Sequence, residues 1–102
     1  MRVLVLSGVV AALTACSSHP VASLGPNDPR FARAVDAAQT YIAGYYHLNR
    51  KDCGAAAGFH FGVQEMDDRL IVRVKPPTPR LDGVQLSLRG DMSLVEMHPF
   101  RL

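Results

Sequence analysis

The sequence predicts an α+β domain in which one N-terminal helix packs on a four-stranded antiparallel meander. Two periodicities carry that prediction: apolar residues recur every three or four positions between residues 28 and 48, then every second position after residue 58. Length is the third observation. The 102 residues, 48% hydrophobic and 20% charged, suffice for one small domain with a packed core. That balance excludes a disordered chain, which lacks apolar residues to bury, and also fibrous and multi-pass membrane classes.

The helix starts at Asp28-Pro29. Aspartate offers an oxygen to the first free amides, and proline's fixed φ suits the first helical position. Phe31, Val35, Ala38, Ile42 and Tyr45 then form one apolar stripe, with Ala34, Tyr41 and Leu48 alongside, on a helix of about 20 residues. Arg50 and Lys51 suit the negative pole of the helix, and Gly54 after Asp52-Cys53 is the expected left-handed stop. Gly44 costs about 1 kcal/mol relative to alanine, which implies a close neighbour against the backbone there.

The strands follow from alternation. Phe59, Phe61 and Val63 alternate with His60, Gly62 and Gln64; Leu70, Val72 and Val74 alternate with Ile71, Arg73 and Lys75. Met66-Asp67-Asp68-Arg69 is the tight turn between them. Val84, Leu86 and Leu88 make the third strand, and after the turn Gly90-Asp91 the fourth runs from Ser93 to Met97. Laying the helix across this sheet buries both stripes, with Ile42 against Val72 and Leu86.

Ahead of the domain, Met1-Arg2 precedes an apolar run from Val3 to Leu13, too short for the roughly 20 residues of a membrane span but laid out as a secretory signal peptide. Leu13-Thr14-Ala15-Cys16 resembles the lipobox of bacterial lipoproteins. The resemblance implies cleavage before Cys16 and acyl chains on that residue, enough to hold the protein on a membrane. Ser17, where an inner-membrane lipoprotein tends to carry aspartate, implies outer-membrane sorting and a periplasm-facing domain. The expected organisation is a signal peptide over 1–15, a lipidated flexible tether over 16–27, rich in Ser, Pro and Gly, and the α+β domain over 28–102. A tether of this length reaches less than about 40 Å. With Cys16 acylated, Cys53 has no internal partner and no disulfide framework forms.

The order of one helix and a meander is similar to that of small cystatin-like and NTF2-like modules, including bacterial inhibitor and immunity proteins. The Gln-x-Val-x-Gly hairpin of cystatins is replaced by Gly62-Val63-Gln64-Glu65-Met66, which argues against thiol-protease inhibition.

Catalytic and metal chemistry find little in the sequence. Asp52 beside Cys53 opposes thiolate formation, the expected state being a packed, inert cysteine. His19, His47, His60 and His98 show no paired ligand spacing; His60 and His98 approach each other only if their strands pair. Glu65, Asp67 and Asp68 belong to a hairpin tip, and no phosphate loop, nucleophile elbow or dinucleotide fingerprint occurs. No cofactor is expected. The net charge of +2 is spread along the chain, which argues against nucleic acid as a partner.

Two features suit protein recognition. Tyr46 falls off the core stripe and is expected to be exposed. In Lys75-Pro76-Pro77-Thr78-Pro79-Arg80, three prolines stiffen the chain toward polyproline II, so Pro76, Pro77, Pro79 and Arg80 are the expected contacts. The expected function is therefore non-catalytic: an envelope lipoprotein, anchored through Cys16, that binds another envelope protein as an inhibitor, an immunity protein or an accessory subunit. The alternative is an enzyme or small-ligand carrier with an NTF2-like pocket between helix and sheet.

Overall fold

The computed structural model describes residues 22–101. Strand β1 (Ala22–Leu24) is followed by helix α1 (Pro29–Tyr46), two short 3₁₀ turns (Arg50–Cys53 and Ala55–Ala57), and strands β2 (His60–Met66), β3 (Arg69–Lys75), β4 (Gly83–Leu88) and β5 (Leu94–Phe100). All neighbouring strands are antiparallel and lie in the order β1-β2-β3-β4-β5. Among the described residues the sheet thus has five strands rather than four. The added one, β1, pairs Ala22 with Glu65 and Leu24 with Val63, inside the stretch expected to be tether. Three residues are too few to display an alternation, so only pairing with β2 reveals them as a strand.

The helix begins as its sequence dictates. Asp28 Oδ1 accepts the Arg30 backbone N–H at 2.8 Å, and Pro29 occupies the first turn. Arg30 then ties this end to the sheet through ion pairs with Asp28 at 3.0 Å and Glu65 at 2.8 Å. Its C-terminus differs from the expectation. The helix stops at Tyr46, and His47, not Gly54, takes the left-handed conformation at φ 59. Leu48 N–H returns to the Ala43 carbonyl at 2.9 Å and His47 N–H to that of Gly44, a Schellman closure built on a non-glycine residue. Gly54 has φ −101, and nothing lies within 4 Å of a side chain added at Gly44, so no neighbour crowds that glycine.

Ala34, Ala38 and Ile42 form the fully buried line of the helix. Alanines at that line let the helix backbone approach the sheet. There it meets Val63 of β2, Leu70, Val72 and Val74 of β3, and Val84, Leu86 and Leu88 of β4, with Phe31, Val35 and Tyr41 half-buried at the flanks. The predicted inward sets of the three central strands are those observed. Arg50 draws the first 3₁₀ turn back onto the helix by pairing with Asp36, donating to Thr40 Oγ1 at 2.9 Å, and offering its carbonyl to Gln39 at 2.7 Å. Cys53 is thereby sealed in the core. The single helix covers one face of the sheet; the outward residues of the other face meet no element among those described.

Candidate functional site

The domain has two distinct poles. Ala22, where the described chain begins, sits opposite Glu65 beside the β2–β3 hairpin, whereas the β3–β4 connector, the 3₁₀ turns and Arg101 gather at the other end of the sheet. Seven-residue strands separate these poles by about 20 Å.

The connector pole holds the predicted contact residues, though not as expected. Pro76 continues the inward alternation of Leu70, Val72 and Val74 and is buried, so it ends the core and presents nothing to a partner. Pro77 packs on Gly58, where φ is 97 and an added Cβ would lie 2.8 Å from the Pro77 ring. Thr78 then accepts the Leu81 N–H at its carbonyl and the Arg80 N–H at its hydroxyl, each at 3.2 Å. The connector is therefore a compact turn rather than an extended polyproline segment. Pro77, though its ring touches Gly58, is exposed along with Pro79, Arg80 and Asp82.

Tyr46 also belongs to this pole, but as a strut. Its hydroxyl donates to the Asp82 carbonyl and its ring lies 5.9 Å from that of Phe59, binding the helix end to the connector. Four-residue steps from Ala34 through Ala38 and Ile42 place Tyr46, not Tyr45, at the end of the buried line. Burial, then the nearby Tyr45, Asp82 and Cys53, push its phenol up to about 12. The exposed side chains are instead Tyr45 at 38% and Leu48 at 41%.

Cys53 is fully buried, and that burial, followed by Asp52, raises its thiol pKa; both effects oppose a nucleophile, and burial keeps a second thiol away. His60 and His98 are not brought together, because β3 and β4 lie between their strands. His98 instead bonds Glu96 at 3.0 Å. At the hairpin tip Asp67 supplies the left-handed turn residue at φ 56, while Glu65 is engaged by Arg30. No group of three or more His, Cys, Asp or Glu among the described residues is arranged to hold a metal. Cys16, the predicted lipidation site, lies outside the described residues.

Sequence reading missed the open face of the sheet. On its hairpin half a concavity of about 420 Å³ lies among Met66, Arg69, Ile71, Ser87, Glu96 and His98, and its charges are partly matched: Glu96 with His98, Arg69 with Asp68 at 3.9 Å. The connector half differs. His60 is directly across from Lys75, and Gly62 from Arg73. Phe100 lies flat over Gly83, whose Cβ, if present, would be 2.5 Å from the ring, and so reaches across β4 to place its face 4.2 Å from the Arg73 guanidinium. Neither Arg73 nor Lys75 has a carboxylate partner among the described residues. Gly62 and Gly83, glycines within otherwise regular strands, were the signal available for this surface.

No family model matches the chain, and neither a curated protein nor a solved structure matches it.

Proposed function

We propose that the chain is a non-catalytic envelope lipoprotein, anchored at the outer membrane through Cys16, whose α+β domain holds another envelope protein as an inhibitor, an immunity protein or an accessory subunit. The observation that supports this reading is the opposition of the two poles. The chain enters the domain beside the β2–β3 hairpin, so a lipid on Cys16 leaves the connector pole, with Pro79, Arg80, Tyr45 and Leu48 exposed, directed away from its anchor. Rigid, exposed residues lose little conformational freedom on docking, and Tyr46 and Pro77 supply that rigidity here. The competing pocket between helix and sheet would need the space that Ala34, Ala38, Ile42, Val72 and Leu86 fill.

A photo-crosslinking residue placed at Pro79 or Arg80 in living cells tests the reading, together with metabolic labelling by a palmitate analogue. One recurrent envelope-protein adduct is expected, with labelling lost in Cys16→Ser. Labelling that persists in Cys16→Ser overturns the anchor, and the lack of any adduct from this pole overturns the docking role.

A further inference from the structure

We infer that the groove along the free edge of β2 is a docking site for an extended, acidic segment of a partner protein. This goes beyond the proposed function and takes from it only that the partner is a protein; the lipid plays no part.

The edge comes first. Strand β1 pairs with Val63–Glu65 and then turns away at Gly25, so among the described residues no strand lies beside His60, Phe61 and Gly62 on that side. An exposed strand edge accepts an added strand through main-chain hydrogen bonds. Space is available for one. Two adjoining hollows of about 360 Å³ share Phe61, Gly62 and Arg73, one continuing toward Leu24, Pro26 and Phe31, the other toward His60 and Lys75. A side chain at Gly62 would meet nothing within 4 Å, so the floor of the groove is bare backbone.

Chemistry then selects the occupant. One end of the groove is apolar. The other carries Lys75 and His60 facing across the strand pair and, two residues along from Lys75 and opposite Gly62, the stem of Arg73, whose guanidinium rests on Phe100 on the β4 side. Among the described residues the Arg73 guanidinium has no hydrogen-bond acceptor, whereas Arg30 and Arg50 are spent on carboxylates. Same-sign charges two residues apart on one strand face repel, and a carboxylate laid between them relieves that repulsion. Alternate residues of an added strand point to one face, so a segment with acidic side chains at every second position places them beside His60 and over the bare Gly62, on the side where Lys75 and the stem of Arg73 lie, while its backbone pairs with β2. A phospholipid or a free anion could satisfy the cations but would leave the strand edge unused.

The test uses the purified full-length chain in mild detergent, exchanged for detergent-free buffer in the vesicle arm, and, as probe, a fluorescent peptide of alternating Glu and Val. The same peptide with Lys for Glu, inorganic phosphate and phosphatidylglycerol vesicles are the comparisons. Saturable binding of the acidic peptide is expected, with amide shifts confined to the edge at residues 60–62. Arg73→Gln with Lys75→Gln should weaken it by about tenfold or more. Gly62→Val, which suits a strand and meets no neighbour, should block binding while leaving the thermal unfolding curve in place. Equal binding of the lysine peptide, indifference to Arg73→Gln with Lys75→Gln, or binding by phosphate or vesicles without the peptide would each overturn the inference. A peptide that fails here leaves the crosslinking result at Pro79 standing, so the two proposals fail separately.

Discussion

Tyr46 and Cys53 show how burial decides what a reactive-looking side chain does. Cys53 was readable as inert from Asp52 beside it; the structure adds the larger cause, full burial behind the first 3₁₀ turn. Tyr46 was not readable, because Tyr45 and Tyr46 stand three and four residues beyond Ile42 and either spacing continues a helical stripe. The Asp82 carbonyl, far away in sequence, is what makes the inward position favourable for a phenol. The consequence is a pH dependence. A phenol that ionises at about 12 in the folded state, against about 10 when unfolded, contributes stability that is present below pH 10 and lost as pH rises toward 12. Tyr46 should therefore titrate late in ultraviolet absorbance. In denaturant unfolding, Tyr46→Phe should make the alkaline decline shallower between those limits. An unchanged decline would mean that the Tyr46 hydroxyl stays in water.

At the scale of elements, the strands were legible because alternation repeats over six or seven residues, and their inward faces agree residue by residue. The short strand and the helix end were not. Ala22-Ser23-Leu24 offers no period to read, and a C-terminal stop is ordinarily marked by glycine, whereas here His47 accepts the left-handed conformation because the Schellman bonds to Ala43 and Gly44 secure it. Gly44 turns out to be neither a stop nor a close-approach point. Its added Cβ meets nothing within 4 Å, and it lies in a regular helix, so Gly44→Ala should stabilise the protein by roughly 0.5–1 kcal/mol, mainly by restricting the unfolded chain. Gly54→Ala provides the contrast, since a Cβ there would stand 2.9 Å from the Gln39 amide that holds the 3₁₀ turn. Urea midpoints of the two variants should move in opposite directions.

The described residues form a two-layer domain with one covered and one open face, and its stability rests on the covered one. The binary pattern made that layer visible in the sequence. The open face escaped because its features, the ring of Phe100 over Gly83 and the bare edge of β2, arise from strand order and from where β1 ends. Few large side chains fill the covered layer: Ile42 is the large helix residue that is fully buried, flanked by Ala34, Ala38 and Ala43, and it packs in one core with Val72, Leu86 and their neighbours on the sheet. Removing it leaves a cavity that alanines cannot fill. Ile42→Ala should cost about 2–5 kcal/mol, against a total of roughly 5–10 kcal/mol for a domain of this size. Chemical unfolding of the full chain should then shift steeply to lower denaturant, with the slope retained if unfolding stays two-state. Tyr45→Ala, at the exposed position one turn on, should change stability by less than about 0.5 kcal/mol. If the two variants unfold alike, the helix does not sit on the sheet through Ile42, and the division of this domain into a load of core residues on one face and a free binding surface on the other is lost.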